Sequence, residues 1–166
     1  MPTRVPVGYA RSHSGYLSRH DLMPATTLLT GALPARPPTA SDSWGPTGIG
    51  ADVVDVARIE RSVRRAGFVS EVFSDEERRY CEAQARPSQH YAARFAAKEA
   101  FLKALGLGIL SGVELREIEV VRDADGRPGL QLGTSAASAL RRARGGHPLL
   151  SLSHDGPCAL AFVVVP

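Results

Sequence analysis

The stretch Arg94–Gly106, RFAAKEAFLKALG, constrains the fold more than any other part of this chain. It holds four alanines, two leucines and no glycine or proline before Gly106, a composition that predicts an α-helix. Apolar side chains fall on nearly every side of that helix, which predicts that it is buried. At about 100° per residue, Glu99 and Lys103 lie one turn apart on one side, flanked by Ala92, Ala96 and Ala100. A buried helix therefore carries a carboxylate and an ammonium past an arc of small side chains. Two readings fit: an i,i+4 pair that supports the helix, or two tools presented to a pocket. One oddity favours attention to the second. The chain has 18 arginines and only two lysines, Lys98 and Lys103, and both sit in this segment. An arginine-preferring chain that keeps lysine at two neighbouring positions suits a need for a compact point charge.

The rest of the chain sets limits on what this helix serves. With 166 residues and a 43% hydrophobic fraction, the chain holds one domain with an ordinary core, or one domain plus a tail. A net charge of +3, with no run of like charge beyond Asp75–Glu77, does not announce a nucleic-acid partner. Cys81 and Cys158 match no metal or disulfide spacing and fit a reducing compartment. The longest apolar run, Cys158–Val165, is too short to span a bilayer, and the N-terminus has no basic-then-apolar leader pattern. The expected location is cytoplasmic. Residues 1–46 carry seven prolines and no useful periodicity. They read as a poorly ordered or loosely docked extension, with Leu22–Leu33 as its one apolar patch, ahead of a folded domain at residues 47–166.

That domain begins with a predicted strand, Thr47–Val56. Ile49, Ala51 and Val53 share one face; Gly50, Asp52 and Val54 share the other. A carboxylate in such a strand must be paired, neutralised or bound to a cation, so Asp52 is either a salt-bridged structural residue or a ligand. Gly48 and Gly50 leave room beside it for a backbone or a ligand. Asp55 caps a predicted helix over Val56–Ala66, stopped by Gly67. Its opposite face holds Arg58, Arg61, Arg64 and Arg65, either a solvated basic face or a docking surface for an acidic partner. Ser74 and Glu77 form a capping box for a helix reaching about Ala85, and capping suffices to explain Glu77. Arg86-Pro87-Ser88 is read as a break, with the Arg94–Gly106 helix starting near Gln89.

After the glycine-bearing turn at Gly106-Leu107-Gly108 come a predicted strand at Leu115–Val121, a turn at Asp123–Gly126 and a strand at Pro128–Leu132. Thr134 caps a predicted helix over Ser135–Ala143. Strands Leu149–Ser153 and Ala159–Val165 close the chain across His154-Asp155-Gly156-Pro157. The order of elements predicts an α+β domain, with a small, mainly antiparallel sheet and helices packed on one face.

Asp52 at a strand, Glu99 on a buried helix and Lys103 one turn further suit a magnesium–phosphate site. Magnesium is commonly held by one or two carboxylates together with substrate phosphates and water. Lysine supplies point charge to a phosphate. No Walker-type loop and no GxGxxG are present, which disfavours nucleotide hydrolysis and dinucleotide binding. Ser153 next to His154 is too generic to read as a hydrolase pair.

Three motifs in this order, GIGADVVDVARI at Gly48–Ile59, RFAAKEAFLKALG at Arg94–Gly106 and SLSHD at Ser151–Asp155, resemble the holo-acyl-carrier-protein synthase family, the small bacterial type of 4′-phosphopantetheinyl transferase. The strand–turn–strand at Ile118–Leu132 fits between the last two. The resemblance spans Thr47–Val165 and implies a 4′-phosphopantetheinyl transferase-like fold. It implies transfer of 4′-phosphopantetheine from coenzyme A to a serine of an acyl carrier protein of the fatty-acid or polyketide type, releasing adenosine 3′,5′-bisphosphate. It implies magnesium on Asp52 and Glu99, Glu99 as base for the serine, and Lys103 at the pyrophosphate. Arg94, Ser153 and His154 are implied contacts to coenzyme A. Arg58, with Arg61 beside it, is implied to grip the acidic carrier protein. A homotrimer with active sites between subunits is implied as well. The turn at Gly106-Leu107-Gly108 departs from the family by placing Leu107 where a small polar residue is common. The rival reading is a non-catalytic carrier-binding module.

Overall fold

The structure, a computed structural model, describes residues 45–166, so the expectations for residues 1–46 lie almost wholly outside the described residues. Strand β1, Gly48–Asp55, pairs antiparallel with β5, Cys158–Val165, and β5 pairs antiparallel with β4, Leu149–Asp155, giving a three-stranded sheet of order β1-β5-β4. A second sheet holds only β2, Ile118–Arg122, and β3, Pro128–Leu132, also antiparallel. Helix α4, Pro87–Ala104, lies across β1 and β5 on one face of the larger sheet. The expected α+β architecture is therefore present, with its antiparallel strands divided between two sheets.

Small residues explain how α4 comes so close to that sheet. Ala92, Ala96, Ala97 and Ala100 on the helix are fully buried, as are Ala159 and Ala161 on β5. A Cβ added at Gly48 would lie 1.9 Å from the Ala104 carbonyl oxygen, and one at Gly50 would lie 2.0 Å from that of Ala100. Both neighbours are backbone, so the space that these glycines leave is filled by the helix itself. The alternation expected of β1 holds: Gly50 and Val54 are buried, whereas Ile49 and Val53 are exposed. Among the described residues no element covers the face of the sheet away from α4, which is apolar, with Ile49, Val53, Leu149, Leu160 and Phe162 between 40% and 60% exposed.

Several boundaries differ from the sequence expectations. Helix α1, Val56–Val63, ends short of the expected Ala66, and Gly67, at φ 84°, starts a further short helix, α2, at Phe68–Val72. The positive φ of Gly67 is one that glycine adopts freely, and in sequence a glycine there reads equally as a helix stop. Helix α3, Asp75–Glu82, begins at the expected Ser74–Glu77 capping box. Pro87 is not a break; it occupies the first turn of α4, where its missing N–H has no intrahelical partner to lose. Leu115–Glu117 is a 3-10 turn ahead of β2. Helix α5 is Thr134–Arg142, with Gly133 at its cap; Glu117 takes the capping role expected of Thr134, accepting from the Ser135 N–H at 2.5 Å. The last hairpin turns tightly at Gly156-Pro157, so His154 and Asp155 belong to β4.

Glu77 does more than cap. Its side chain is fully buried and accepts from the Lys98 ammonium at 2.7 Å, the Val120 N–H at 3.1 Å and the Ser74 N–H at 3.1 Å. Lys98, also fully buried, donates further to the carbonyls of Ile118 at 2.6 Å and Leu115 at 3.0 Å. All three ammonium protons are thus used. Burial draws the Lys98 pKa below the ordinary lysine value, against the pull of Glu77. This pair ties α3, α4 and β2 together at the base of the second sheet.

Candidate active site

At the C-terminal half of α4 the structure brings together Asp52, Glu99 and Lys103. Lys103 does not pair with Glu99. It reaches across to β1, donating to Asp52 Oδ1 at 2.7 Å and to the Ala51 carbonyl at 3.3 Å. The helix-supporting pair considered from sequence is therefore not formed. The Asp52 side chain is 10% exposed and that of Lys103 is 50% exposed, so the pair opens to solvent on the lysine side. The second Asp52 oxygen, Oδ2, is buried and has no hydrogen-bond partner among the described residues. A buried carboxylate oxygen left bare is costly in a finished core and natural for a cation ligand.

Glu99 is half-buried beside this pair. Burial raises its pKa, the nearby Asp52 charge raises it further, and Lys103 and Arg58 oppose. The hydrogen bond from Lys103 to Asp52 raises the Lys103 pKa, keeping it cationic. Glu99 and Lys103 share a hollow of about 50 Å³ with Leu107, Gly108 and Ile109. The turn after α4 closes in a helix-ending motif: Gly106, at φ 69°, donates to the Lys103 carbonyl at 3.0 Å, and Leu107 donates to that of Leu102 at 2.8 Å. The next turn carries Ile109 and Leu110 at its tip, Leu110 being 99% exposed. Among the described residues no group of three or more His, Cys, Asp or Glu is placed to hold a metal. Two carboxylates with an unpartnered oxygen fit magnesium, whose remaining ligands come from substrate phosphates and water.

Arg94 lies elsewhere. It is five residues before Glu99 on α4, hence about 140° away around the helix. Its guanidinium stacks 4.0 Å from the centre of the Tyr80 ring, and its Nε is buried without a partner. With His90, Arg122, His154 and Leu152 it lines a cavity of about 160 Å³. Arg122 donates to the Tyr80 hydroxyl at 3.0 Å, and Gln89 meets His154 Nδ1 at 3.1 Å. Burial lowers the His90 pKa, and Arg94, His154 and Arg122 lower it further, so His90 favours its neutral form in this cationic setting. Of the expected pair Ser153 and His154, only His154 lines the cavity. Adjacent residues of β4 point to opposite faces, which puts Ser153, opposite Leu160, on the bare side of the sheet.

Asp55 accepts from the Arg58 N–H at 2.6 Å, as a cap for α1. The Arg58 guanidinium lies 5.9 Å from the centre of the Phe95 ring. Arg64 is paired with Glu60 at 2.6 Å, whereas Arg58 and Arg61 have no carboxylate partner among the described residues. The basic face thus keeps free charge at the two positions singled out from sequence. Tyr80, His90 and Arg122 were missed by sequence reasoning. Their only local signal is spacing: Tyr80 lies one turn after Glu77, and His90 one turn before Arg94.

Known proteins resemble this chain over the folded domain. The model of the 4′-phosphopantetheinyl transferase superfamily matches residues 48–161. A holo-acyl-carrier-protein synthase of Geobacter sp. (strain M21) is 43% identical over 120 residues, covering 71% of this chain and 96% of that protein. The crystal structure of the Neisseria meningitidis holo-acyl-carrier-protein synthase superimposes with a TM-score of 0.67 at 36% identity, over 73% of this chain and 98% of the other. The Helicobacter pylori enzyme, solved in complex with coenzyme A, gives 0.63 at 32% identity over 71% and 99%. This chain belongs to the 4′-phosphopantetheinyl transferase superfamily, and its fold is that of the holo-acyl-carrier-protein synthases.

Proposed function

We propose that the protein moves the 4′-phosphopantetheine group of coenzyme A onto a serine hydroxyl of an apo acyl carrier protein, releasing adenosine 3′,5′-bisphosphate. The observation that carries this reading is the cluster of Asp52, Glu99 and Lys103, with one bare, buried Asp52 oxygen. Asp52 and Glu99 are the residues to hold magnesium, which when bound neutralises pyrophosphate charge and orients the reacting phosphorus. Glu99 takes the serine proton, directly or through a water. The serine oxygen bonds to the phosphorus next to the pantetheine as the bond to the adenosine bisphosphate oxygen breaks. Lys103 spends two of its three protons on Asp52 and Ala51. The third is left for an oxygen of the leaving phosphate.

Arg94, with Arg122 and His154, offers a cationic cavity for an anionic part of coenzyme A, supported by the unpartnered, buried Arg94 Nε. Arg58 and Arg61 present free cations to an acidic carrier. The cavity and the carboxylate cluster occupy different sides of α4. A homotrimer, in which one subunit's cavity completes its neighbour's cluster, accounts for that separation. The bare apolar sheet face supports such an assembly, because contiguous exposed patches of this kind mark interfaces. Ser153 on that face then reaches coenzyme A only across an interface. A non-catalytic carrier-binding module would leave the Asp52 oxygen without a use. None of the described helices is long and apolar enough to cross a membrane, consistent with carriers and donors met in solution.

The test is to incubate the protein with coenzyme A, magnesium and an apo carrier protein and to weigh the carrier by mass spectrometry. Addition of one phosphopantetheine, lost when magnesium is chelated, is expected. No gain with any of several apo carriers would refute the transferase reading.

A further inference from the structure

Only three charged side chains are buried among the described residues: Arg94, which faces the cationic cavity, and the pair Glu77 and Lys98, which face no substrate. We propose that Glu77 and Lys98 are positioning residues for coenzyme A. The pair sets the register in which α3, α4 and β2 meet, and thereby brings Tyr80, Arg94 and Arg122 to one cavity.

Each of these three residues stands one structural repeat from a member of the pair's network. Tyr80 follows Glu77 by three residues on α3, one turn along the same face. Arg94 precedes Lys98 by four on α4, again one turn along the same face. Arg122 follows Val120, whose N–H donates to Glu77 Oε1 at 3.1 Å, by two residues on β2, and so shares its side of the strand. The contacts above the pair are then Arg94 over Tyr80 and Arg122 to the Tyr80 hydroxyl.

The second sheet needs such a device. Strands β2 and β3 are hydrogen-bonded to each other and not to the larger sheet. Their register against α4 is set by side chains, and a slip of one residue would turn Arg122 away from the cavity. Directional bonds from Glu77 to the Val120 N–H, and from Lys98 to the Ile118 and Leu115 carbonyls, fix that register. Apolar side chains of the same volume would fill the space with no such direction. The pair touches neither the carboxylate cluster nor the free arginines of α1, so its loss should act on coenzyme A and not on the carrier.

The inference rests on the reading that the Arg94 cavity holds part of coenzyme A, and the experiment separates the two. The full-length chain is compared with Arg94→Ala, Glu77→Gln and the double variant Glu77→Leu/Lys98→Met. Measurements are the Kd for coenzyme A by calorimetry, KM for coenzyme A and for the apo carrier, kcat, and the thermal midpoint. The double variant, which removes both buried charges together, should remain folded while its KM and Kd for coenzyme A rise about tenfold. Its kcat at saturating coenzyme A and its carrier KM should stay within about twofold of the parent. Glu77→Gln, which keeps one acceptor, should shift coenzyme A binding in the same direction by less, and it carries the test if the double variant does not fold. Parental affinity for coenzyme A in a folded pair variant would overturn the inference. So would a kcat that falls as far as the affinity, which is the mark of general loosening. If Arg94→Ala itself leaves coenzyme A binding unchanged, the reading of the cavity fails and the inference falls with it. If Arg94→Ala weakens binding and the pair variants do not, only the positioning role is refuted.

Discussion

Lys98 and Lys103 stand on the same helix, and each places its ammonium 2.7 Å from a carboxylate, Glu77 in one case and Asp52 in the other. Their surroundings are opposite. Around Lys98 everything is closed: both side chains of the pair are fully buried, and every ammonium proton and both carboxylate oxygens are used. Around Lys103 the account is left open: the lysine side chain is half exposed, and among the described residues one of its protons and Asp52 Oδ2 have no partner. A charge whose hydrogen bonds are complete holds structure together. A charge whose bonds are incomplete in a sheltered place is a candidate for a ligand, the reading proposed above for Asp52 and Lys103. The same pair distance therefore carries two meanings, and the unsatisfied atoms tell them apart.

The largest effect should come from the open region. Glu99→Gln should lower the transfer rate about 1,000-fold at saturating coenzyme A and carrier, with an unchanged circular dichroism spectrum. A loss below tenfold would remove Glu99 from the role of base.

The contrast between the two lysines predicts a division of stability from activity. Lys98→Met leaves Glu77 buried and unpaired, and should cost about 3–5 kcal/mol in a denaturant titration. Lys103→Met breaks a pair that is open to solvent, and should cost no more than about 1 kcal/mol while transfer is lost. Equal losses of stability in the two variants would erase the distinction.

A smaller effect is expected on the basic face of α1. Arg58→Glu should raise the carrier KM about tenfold and leave the Kd for coenzyme A unchanged. Added salt should narrow the difference from the parent. A rise in the coenzyme A Kd instead would place Arg58 in the donor site.

The smallest effect concerns stability against pH in the presence of a chelator. The folded-state pKa of Glu99 is raised, chiefly by burial, so the folded chain binds that proton more tightly than the unfolded chain. The resulting stability is present below the ordinary glutamate pKa and is lost as pH rises through the raised one. Glu99→Gln should therefore melt slightly above the parent at neutral pH and level with it in acid. A melting advantage of equal size at both pH values would show that the gain does not come from the Glu99 charge.

Much of this was legible in the sequence, for local reasons. The period of β1 showed that Asp52 shares a face with Gly50 and Val54. Asp55 and the Ser74–Glu77 capping box mark helix starts that the structure keeps. Asp52, Glu99 and Lys103 were named together, and they meet. Other features were hidden because the deciding neighbour is far along the chain. Thr134 looks like a cap until Glu117 arrives from the 3-10 turn ahead of β2. Glu77 looks like a capping residue and nothing more until Lys98 and Val120 close over it. Tyr80 and Arg122 carry no motif, and their cavity exists only where α3, α4 and β2 converge.

By itself, then, the chain's order of residues determined a helix through Arg94–Ala104, two residues short of the expected Gly106, the strand alternation and the chemical types available, because these depend on periodicities that a few neighbouring residues set. Tertiary structure decided which carboxylate each lysine answers, across 21 residues for Lys98 and 51 for Lys103. It also set Arg94 and Glu99 on different sides of one helix and left the outer sheet face bare. Whether a charge is satisfied depends on every group that burial brings within a few ångströms of it, and that is a property of the folded packing.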